Sequence, residues 1–212
     1  MVAMPYLNTN EISSFYNLRF DQHGRDIKTV GWDNEASQRL RFEVLFRGLD
    51  LKGKTILDVG CGLGHLIPFL DSCTNGDFFY IGIDVADKLI EDAQSKFPQN
   101  NIKFYVGDIF STTIPTIDIS ILSGALSFKI QGIEEYAQET MTYMYQISRE
   151  CACLNFLSKY ADFELDKNQH YWPEKLFSSA KKISTKVNLF HDYPLFEFCI
   201  YLHPSFEAWS AK

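Results

Sequence analysis

Apolar side chains along the chain fall into short strand-length runs and longer segments of helical period. Residues 55–59, 78–83, 102–106, 117–123 and 152–157 are compact apolar runs bounded by turn-forming residues. Helical patterns lie between them. One begins near His65 and turns Leu66, Phe69 and Leu70 inward; another, over residues 86–97, gathers Leu89, Ile90, Ala93 and Phe97 on one face before Pro98 stops it. A third, over residues 133–149, repeats Ile133, Ala137, Met141, Met144 and Ile147 at helical spacing. Such alternation predicts an α/β fold with a mainly parallel sheet. The tail differs, because the apolar segments 183–190 and 196–202 are separated only by residues 191–195. That gap is too short for a parallel crossover, so these two strands should pair antiparallel. Upstream of Lys52 two helices are expected, over residues 11–20 and 34–49, the second presenting Phe42, Leu45, Phe46 and Leu49.

No repeat, low-complexity tract or linker divides the sequence, which reads as one domain over residues 1–212, a helical segment 1–51 leading a core 52–203. With 46% hydrophobic and 15% aromatic residues, a disordered chain is excluded. Twenty Lys and Arg stand against twenty-seven Asp and Glu, a net charge of −7 that disfavours a nucleic-acid partner. The five cysteines fit neither a disulfide framework nor a zinc-site spacing, so free thiols in a reducing cytoplasm are expected, and no metal. Residues 1–10 lack the features of a signal peptide, and no apolar window approaches membrane-helix length. Oligomeric state does not follow from these features.

The most specific local signal joins the first strand to its helix: Asp58-Val59-Gly60-Cys61-Gly62-Leu63-Gly64-His65. Glycines there permit a sharp turn, let a ligand lie against bare backbone and present amide N–H groups at a helix N-terminus. The spacing G-x-G-x-G differs from the dinucleotide fingerprint G-x-G-x-x-G, and no Gly-Lys-Ser/Thr follows to make a Walker loop. Asp84, with Val85 beside it, ends the second strand, where a carboxylate can accept hydrogen bonds from two ribose hydroxyls. Asp108 and Ile109 follow the third strand, within reach of an adenine ring. Taken singly, Asp84 also reads as a helix cap and Asp108 as a turn residue. Together, at the ends of three consecutive strands, they point to a bound adenosyl cofactor.

On these residues the sequence resembles the class I S-adenosylmethionine-dependent methyltransferases over about residues 52–203. Leu57 to Gly64 resembles the family's cofactor-binding glycine motif, Asp84 its ribose-binding acid, and Gly107-Asp108-Ile109 its adenine-binding segment. Ser123-Gly124 stands where family members pass the cofactor's methionyl part. The resemblance implies a Rossmann-like seven-stranded sheet of order 3-2-1-4-5-7-6, helices on both faces and an N-terminal helical lid. It implies S-adenosylmethionine as cofactor and S-adenosylhomocysteine as product. His23-Gly24, Gly31-Trp32, residues 38–42, residues 155–158 and His191-Asp192-Tyr193 are further similar to bacterial members of uncharacterised substrate.

Methyl transfer from a sulfonium is an in-line displacement that depends chiefly on positioning, so no catalytic constellation is required. Amide- and adenine-nitrogen methylation is disfavoured, since Ser123-Gly124-Ala125-Leu126 stands where such enzymes carry Asn/Asp-Pro-Pro-Tyr. Cys151 and Cys153, within the fifth strand, read as packed thiols rather than nucleophiles. Acceptor-side candidates are His23, Arg25 and Trp32 near the loop between the first two helices, and His170 or Tyr171 as a base ahead of Pro173. Trp32 also reads as a packing anchor, and His170-Tyr171-Trp172 as a structural cap before a helix begun by Pro173. Arg41 reads either as a bidentate partner for the cofactor's carboxylate or as an exposed helical charge. The expected activity is methyl transfer to a small molecule; the alternatives are an RNA or protein acceptor, or a non-catalytic cofactor-binding module.

Overall fold

The computed structural model describes residues 7–32, 34–115 and 117–204; the expectations for residues 1–6, 33, 116 and 205–212 lie outside them. Seven strands form one sheet: β1 (Lys54–Val59), β2 (Phe78–Asp84), β3 (Ile102–Val106), β4 (Ile117–Leu122), β5 (Ser148–Leu157), β6 (Lys186–Phe190) and β7 (Glu197–His203). Their order is β3-β2-β1-β4-β5-β7-β6, as expected. The β1–β2, β2–β3, β1–β4 and β4–β5 pairs are parallel; β7 pairs antiparallel with both β5 and β6.

Among the described residues six α-helices accompany the sheet: α1 (Thr9–His23), α2 (Glu35–Leu45), α3 (Leu66–Thr74), α4 (Asp87–Lys96), α5 (Ile133–Ile147) and α6 (Pro173–Ile183). The central strands are apolar on both faces because each face is covered. Leu57, Ile83, Leu154 and Ile200 pack under Ala137 and Met141 of α5 and Ala180 of α6. Ile56, Ile121, Cys153 and Tyr201 face Leu45 of α2, Leu70 of α3 and Ile90 of α4. Each such fully buried aliphatic side chain contributes about 1.5–3 kcal/mol.

Helix boundaries differ from expectation in several places; α1, for one, runs Thr9–His23 rather than over residues 11–20. The second helix ends at Leu45, not residue 49, because Gly48 takes a positive φ of 77° and the chain tightens through Arg47 N–H to Val44 O. Phe46 still reaches the core and stacks on Phe69 at 5.8 Å. Helix α5 stops at Ile147, because Ser148 caps it through Met144 O at 2.6 Å and enters β5 directly, so the fifth strand is longer than expected. Ile183 closes α6 instead of opening β6.

The chain before β1 is fastened over the C-terminal ends of the strands. Asn17 of α1 donates to Asp87 of α4 at 2.6 Å, Lys88 pairs with Asp21, and Arg25 pairs with Asp92 at 2.8 Å. A short 3₁₀ turn, Ile27–Val30, buries Thr29, whose hydroxyl donates to Gly24 O at 2.7 Å. Its Val30 side chain stands so close to Gly62 that a Cβ there would lie 2.8 Å from it.

Candidate active site

The strand order reverses between β1 and β4, and the loops leaving the C-terminal ends of the parallel strands surround a cavity of about 790 Å³. A crevice outside these strand ends is where open α/β sheets bind ligands. Asp58, Gly60, Cys61, Gly62, Asp84, Val85, Asp108, Ser123, Gly124 and Arg41 all line it, as do His23 and His170. Gly64, Ile109 and Tyr171 do not.

The glycine turn is built by geometry that only glycine tolerates. Gly60 and Gly62 have φ of +74° and +51°, and a Cβ on Gly60 would overlap that of Ala125. Four amides of the turn are engaged within the protein, so the expectation that it offers amides to a ligand does not hold for Gly60, Cys61, Gly62 or Gly64. The N–H groups of Gly60 and Cys61 donate to Ile83 O, Gly62 N–H donates to Asp84, and Gly64 N–H donates to Cys61 O. These donors tie the turn to β2, leaving bare backbone and close approach as its contribution to the cavity. Gly64 serves packing instead: a side chain there would press on Phe97, Ile67 and Phe104. Ile109 is likewise a core residue, 2% exposed, that directs its side chain away from the cavity.

The three carboxylates have distinct surroundings. Asp58 is buried and accepts a hydrogen bond from the Tyr80 hydroxyl at 2.8 Å. Burial, partly offset by that bond and reinforced by the charge of Asp84, pushes its pKa up to about 7. Asp84 accepts from Gly62 N–H at 2.8 Å and from Ala86 N–H at 2.9 Å; it does not cap α4, whose N-cap is Ala86 without a side-chain cap, and burial raises its pKa. An ionised carboxylate has about four acceptor positions, so two backbone bonds leave capacity for a ligand's hydroxyls. Asp108 forms the expected turn, accepting from Phe110 N–H at 2.8 Å, and also accepts from the Tyr136 hydroxyl at 2.7 Å.

Arg41 is no exposed helical charge. It is 8% exposed, and its Nε and Nη2 grip both oxygens of Glu197, 2% exposed, while Trp32 stacks on the guanidinium at 4.0 Å. Trp32 is therefore a packing anchor for a cation. The remaining nitrogen, Nη1, faces Gly124, where a Cβ would lie 2.6 Å from it. Gly124 N–H donates at 2.6 Å to the side chain of Asn155, which is buried at the end of β5.

The acceptor-side candidates separate clearly. Tyr171 is 4% exposed, donates its hydroxyl to Leu126 O at 2.9 Å and is raised in pKa by burial, so it is a structural residue, not a base. His170 donates Nδ1–H to Ser158 O at 2.9 Å and lines the cavity. His23 is an exposed residue at the end of α1, and Arg25 is committed to Asp92. Cys151 and Cys153 are buried in β5 with their sulfurs 3.4 Å apart, outside the cavity lining. His65 accepts from Gln38 at 3.2 Å, and burial with the charge of Lys96 pushes its pKa down to about 4; desolvation, more than the helix dipole, keeps it neutral.

Several lining residues escaped the sequence reading. Ile12, Tyr16 and Arg19 line the cavity from one face of α1, a spacing visible in the sequence but masked by its mixed polarity. The Tyr16 pKa is pushed up to about 12 by burial and then by the nearby Asp84 charge. Glu197 had a usable signal: a lone carboxylate opening an apolar strand requires a cationic partner once buried.

The arrangement suits an adenosyl cofactor: a glycine cradle that a Cβ would fill, carboxylates at the ends of β1 and β2 and just past β3, and an arginine edge beside Gly124. A methyltransferase domain profile matches residues 50–180. An inferred methyltransferase of Mycobacterium tuberculosis is 29% identical over 154 residues, covering 69% of this chain and 90% of its own. The 7SK snRNA methylphosphate capping enzyme of Mus musculus is 31% identical over 91 residues, covering 43% of this chain and 12% of its own. Among solved structures, magnesium protoporphyrin IX methyltransferase of Synechocystis with bound S-adenosylhomocysteine superposes with a TM-score of 0.70 at 15% identity, covering 93% of this chain and 100% of that one. With the strand order, the glycine turn and the matched profile in agreement, the chain belongs to the methyltransferase domain family, as a class I S-adenosylmethionine-dependent methyltransferase.

Proposed function

We propose that the protein moves a methyl group from S-adenosylmethionine to a small-molecule acceptor held inside the cavity. The observation that carries this reading is a partly open cavity of about 790 Å³ whose lining includes Asp84 and Asp108 together with the apolar Phe128, Leu157 and Phe196. That volume lies within the range of small-ligand sites. A polymer acceptor would call for an open basic surface, whereas the charged lining here is mixed: Asp58, Asp84, Asp108 and Glu197 against Arg19, Lys28, Arg41 and Lys167. Magnesium protoporphyrin IX, for which the similar methyltransferase of Synechocystis is named, is itself a small molecule.

In this reading Asp84 receives the ribose hydroxyls, Asp108 and Val85 flank the adenine, and Gly60, Cys61 and Gly62 pass the sugar and sulfur by close backbone contact. Ser123, Gly124 and Nη1 of Arg41 take the methionyl end. Asp58 braces the turn through Tyr80. Bound S-adenosylmethionine supplies an electrophilic methyl carbon; the protein's work is to hold an acceptor atom about 3–3.5 Å from it, in line, with water excluded. The segment carrying α1 and Trp32 covers the crevice for that purpose. Four buried cysteines with no disulfide among the described residues fit a reducing compartment such as the cytoplasm.

Calorimetry with S-adenosylhomocysteine tests the assignment. Asp84→Ala should weaken binding by about 1–3 kcal/mol through lost charge-assisted hydrogen bonds. An unchanged affinity in a folded variant would show that the ribose lies elsewhere.

A further inference from the structure

We infer that His170 is the general base of the reaction and that its acceptor is a hydroxyl group on an apolar aromatic ring, a phenol-type substrate. This rests on the methyltransferase reading above and adds to it the acceptor chemistry.

Three observations place His170 at the point of transfer. First, its segment is stitched to the loop that follows β4. Phe128 and Asn168 form a β-bridge, Gln169 N–H donates to Ser127 O at 2.8 Å, and the Tyr171 hydroxyl holds Leu126 O at 2.9 Å. The same loop begins with Ser123 and Gly124, which line the same cavity as His170. Second, its tautomer is fixed. Nδ1–H donates to Ser158 O at 2.9 Å, on the end of β5, so the neutral ring carries its lone pair on Nε2. Among the described residues Nε2 makes no hydrogen bond, although His170 is only 5% exposed and lines the cavity. Third, the surrounding chamber is aromatic. Phe163 and Phe196 meet edge to face at 5.0 Å, Phe15 and Phe128 lie 4.9 Å apart, and Leu165 completes the wall.

The chemistry follows from these neighbours. The lining carboxylates Asp58, Asp84, Asp108 and Glu197 are those of the strand ends, and Glu164, the carboxylate that interacts with His170, is held by Lys159 at 2.7 Å, so a cationic amine would have to compete for its counter-charge, with Lys167 also in the lining. Neutral amines and thiolates need no base. A weakly acidic hydroxyl does, and an aromatic ring bearing it would stack among these phenylalanines. In the step, the hydroxyl proton passes to Nε2 and the oxygen's electron pair forms the O–CH₃ bond. The C–S bonding pair stays on sulfur, and a sulfonium becomes a neutral thioether.

The test uses the full chain, S-adenosylmethionine labelled in its methyl group, and para-substituted phenols of graded acidity beside the matching anilines. Phenols should be methylated in preference to anilines, and any methylation of the neutral anilines should not depend on His170. His170→Gln should lower turnover about 100-fold or more for weakly acidic phenols and far less for nitrophenols already ionised at the assay pH. A uniform loss across the series would make His170 a packing residue, and preferred methylation of anilines would overturn the acceptor class. Phe196→Ser, at an exposed position, should raise the phenol KM roughly ten-fold without changing S-adenosylhomocysteine affinity; an unchanged KM refutes the chamber even if His170→Gln does not fold. If S-adenosylhomocysteine binds and no phenol is methylated, this inference falls while the cofactor assignment stands. If it does not bind, the assignment itself has failed.

Discussion

The buried pair of Arg41 and Glu197 joins the N-terminal helices to the last strand and also borders the cofactor cleft, which makes its removal informative. Glu197→Gln keeps the size of the side chain but leaves a guanidinium in a site where Arg41 is 8% exposed. Breaking one member of a buried ion pair costs about 3–5 kcal/mol, because the survivor stays desolvated. The Trp32 ring, 4.0 Å from the guanidinium, continues to shelter the charge, so the lower part of that range is expected. For a chain of this length the midpoint of thermal unfolding should fall by about 6–16 °C. The assay is urea and thermal unfolding of the wild type, Glu197→Gln, Arg41→Met and the double variant Arg41→Met/Glu197→Leu. The double variant should recover most of the loss, since apolar replacement of a buried pair is often neutral or stabilising. It should still bind S-adenosylhomocysteine more weakly than wild type, because the Nη1 edge beside Gly124 is gone. A single-variant cost below about 1 kcal/mol, or a double variant no better than either single, would refute the reasoning.

Other consequences are equally direct. Asp58 has a folded-state pKa of about 7 against an ordinary 3.8, so the folded state holds its proton more tightly and this group's contribution to stability declines as pH rises from about 4 to about 7. Urea midpoints across that range should decline less in Asp58→Asn than in wild type; an identical slope would remove Asp58 as the cause. His65 acts in the opposite sense, its pKa lowered to about 4, so its contribution is lost as pH falls from about 6.5 to about 4. Tyr171→Phe should cost about 1 kcal/mol by releasing Leu126 O, with turnover essentially intact; a 100-fold loss of turnover would restore it as a catalytic candidate. Gly60→Ala forces a side chain into a φ of +74° and against Ala125, at a cost of about 2–4 kcal/mol in chemical denaturation. An Ala variant of full stability would show that the turn can relax.

Much of the architecture was legible because it rests on local rules. Apolar runs of strand length, helical spacing between them and the short gap at residues 191–195 were enough to derive a parallel sheet closed by an antiparallel pair. The glycine turn and the acidic strand ends were legible for the same reason: conformational permissiveness and a strand's terminus are properties of neighbouring residues. Boundaries were less so. Nothing local distinguishes Ser148 as a helix continuation from Ser148 as the start of β5; that is decided by its hydroxyl meeting Ser120 at 2.7 Å across the packed core.

What only tertiary structure decided are pairings between residues far apart in the chain. Arg41 meets Glu197, the Tyr136 hydroxyl meets Asp108, and Val30 covers Gly62. His170 and Tyr171 are adjacent in sequence, yet His170 lines the cavity while its ring bonds Ser158 O, and Tyr171 is a core residue whose hydroxyl bonds Leu126 O. Sequence spacing sets which side chains share an element's face; which partner that face meets depends on how the sheet brings distant loops to one edge. The strand-end carboxylates belong to the first kind of information, and the acceptor's surroundings belong to the second.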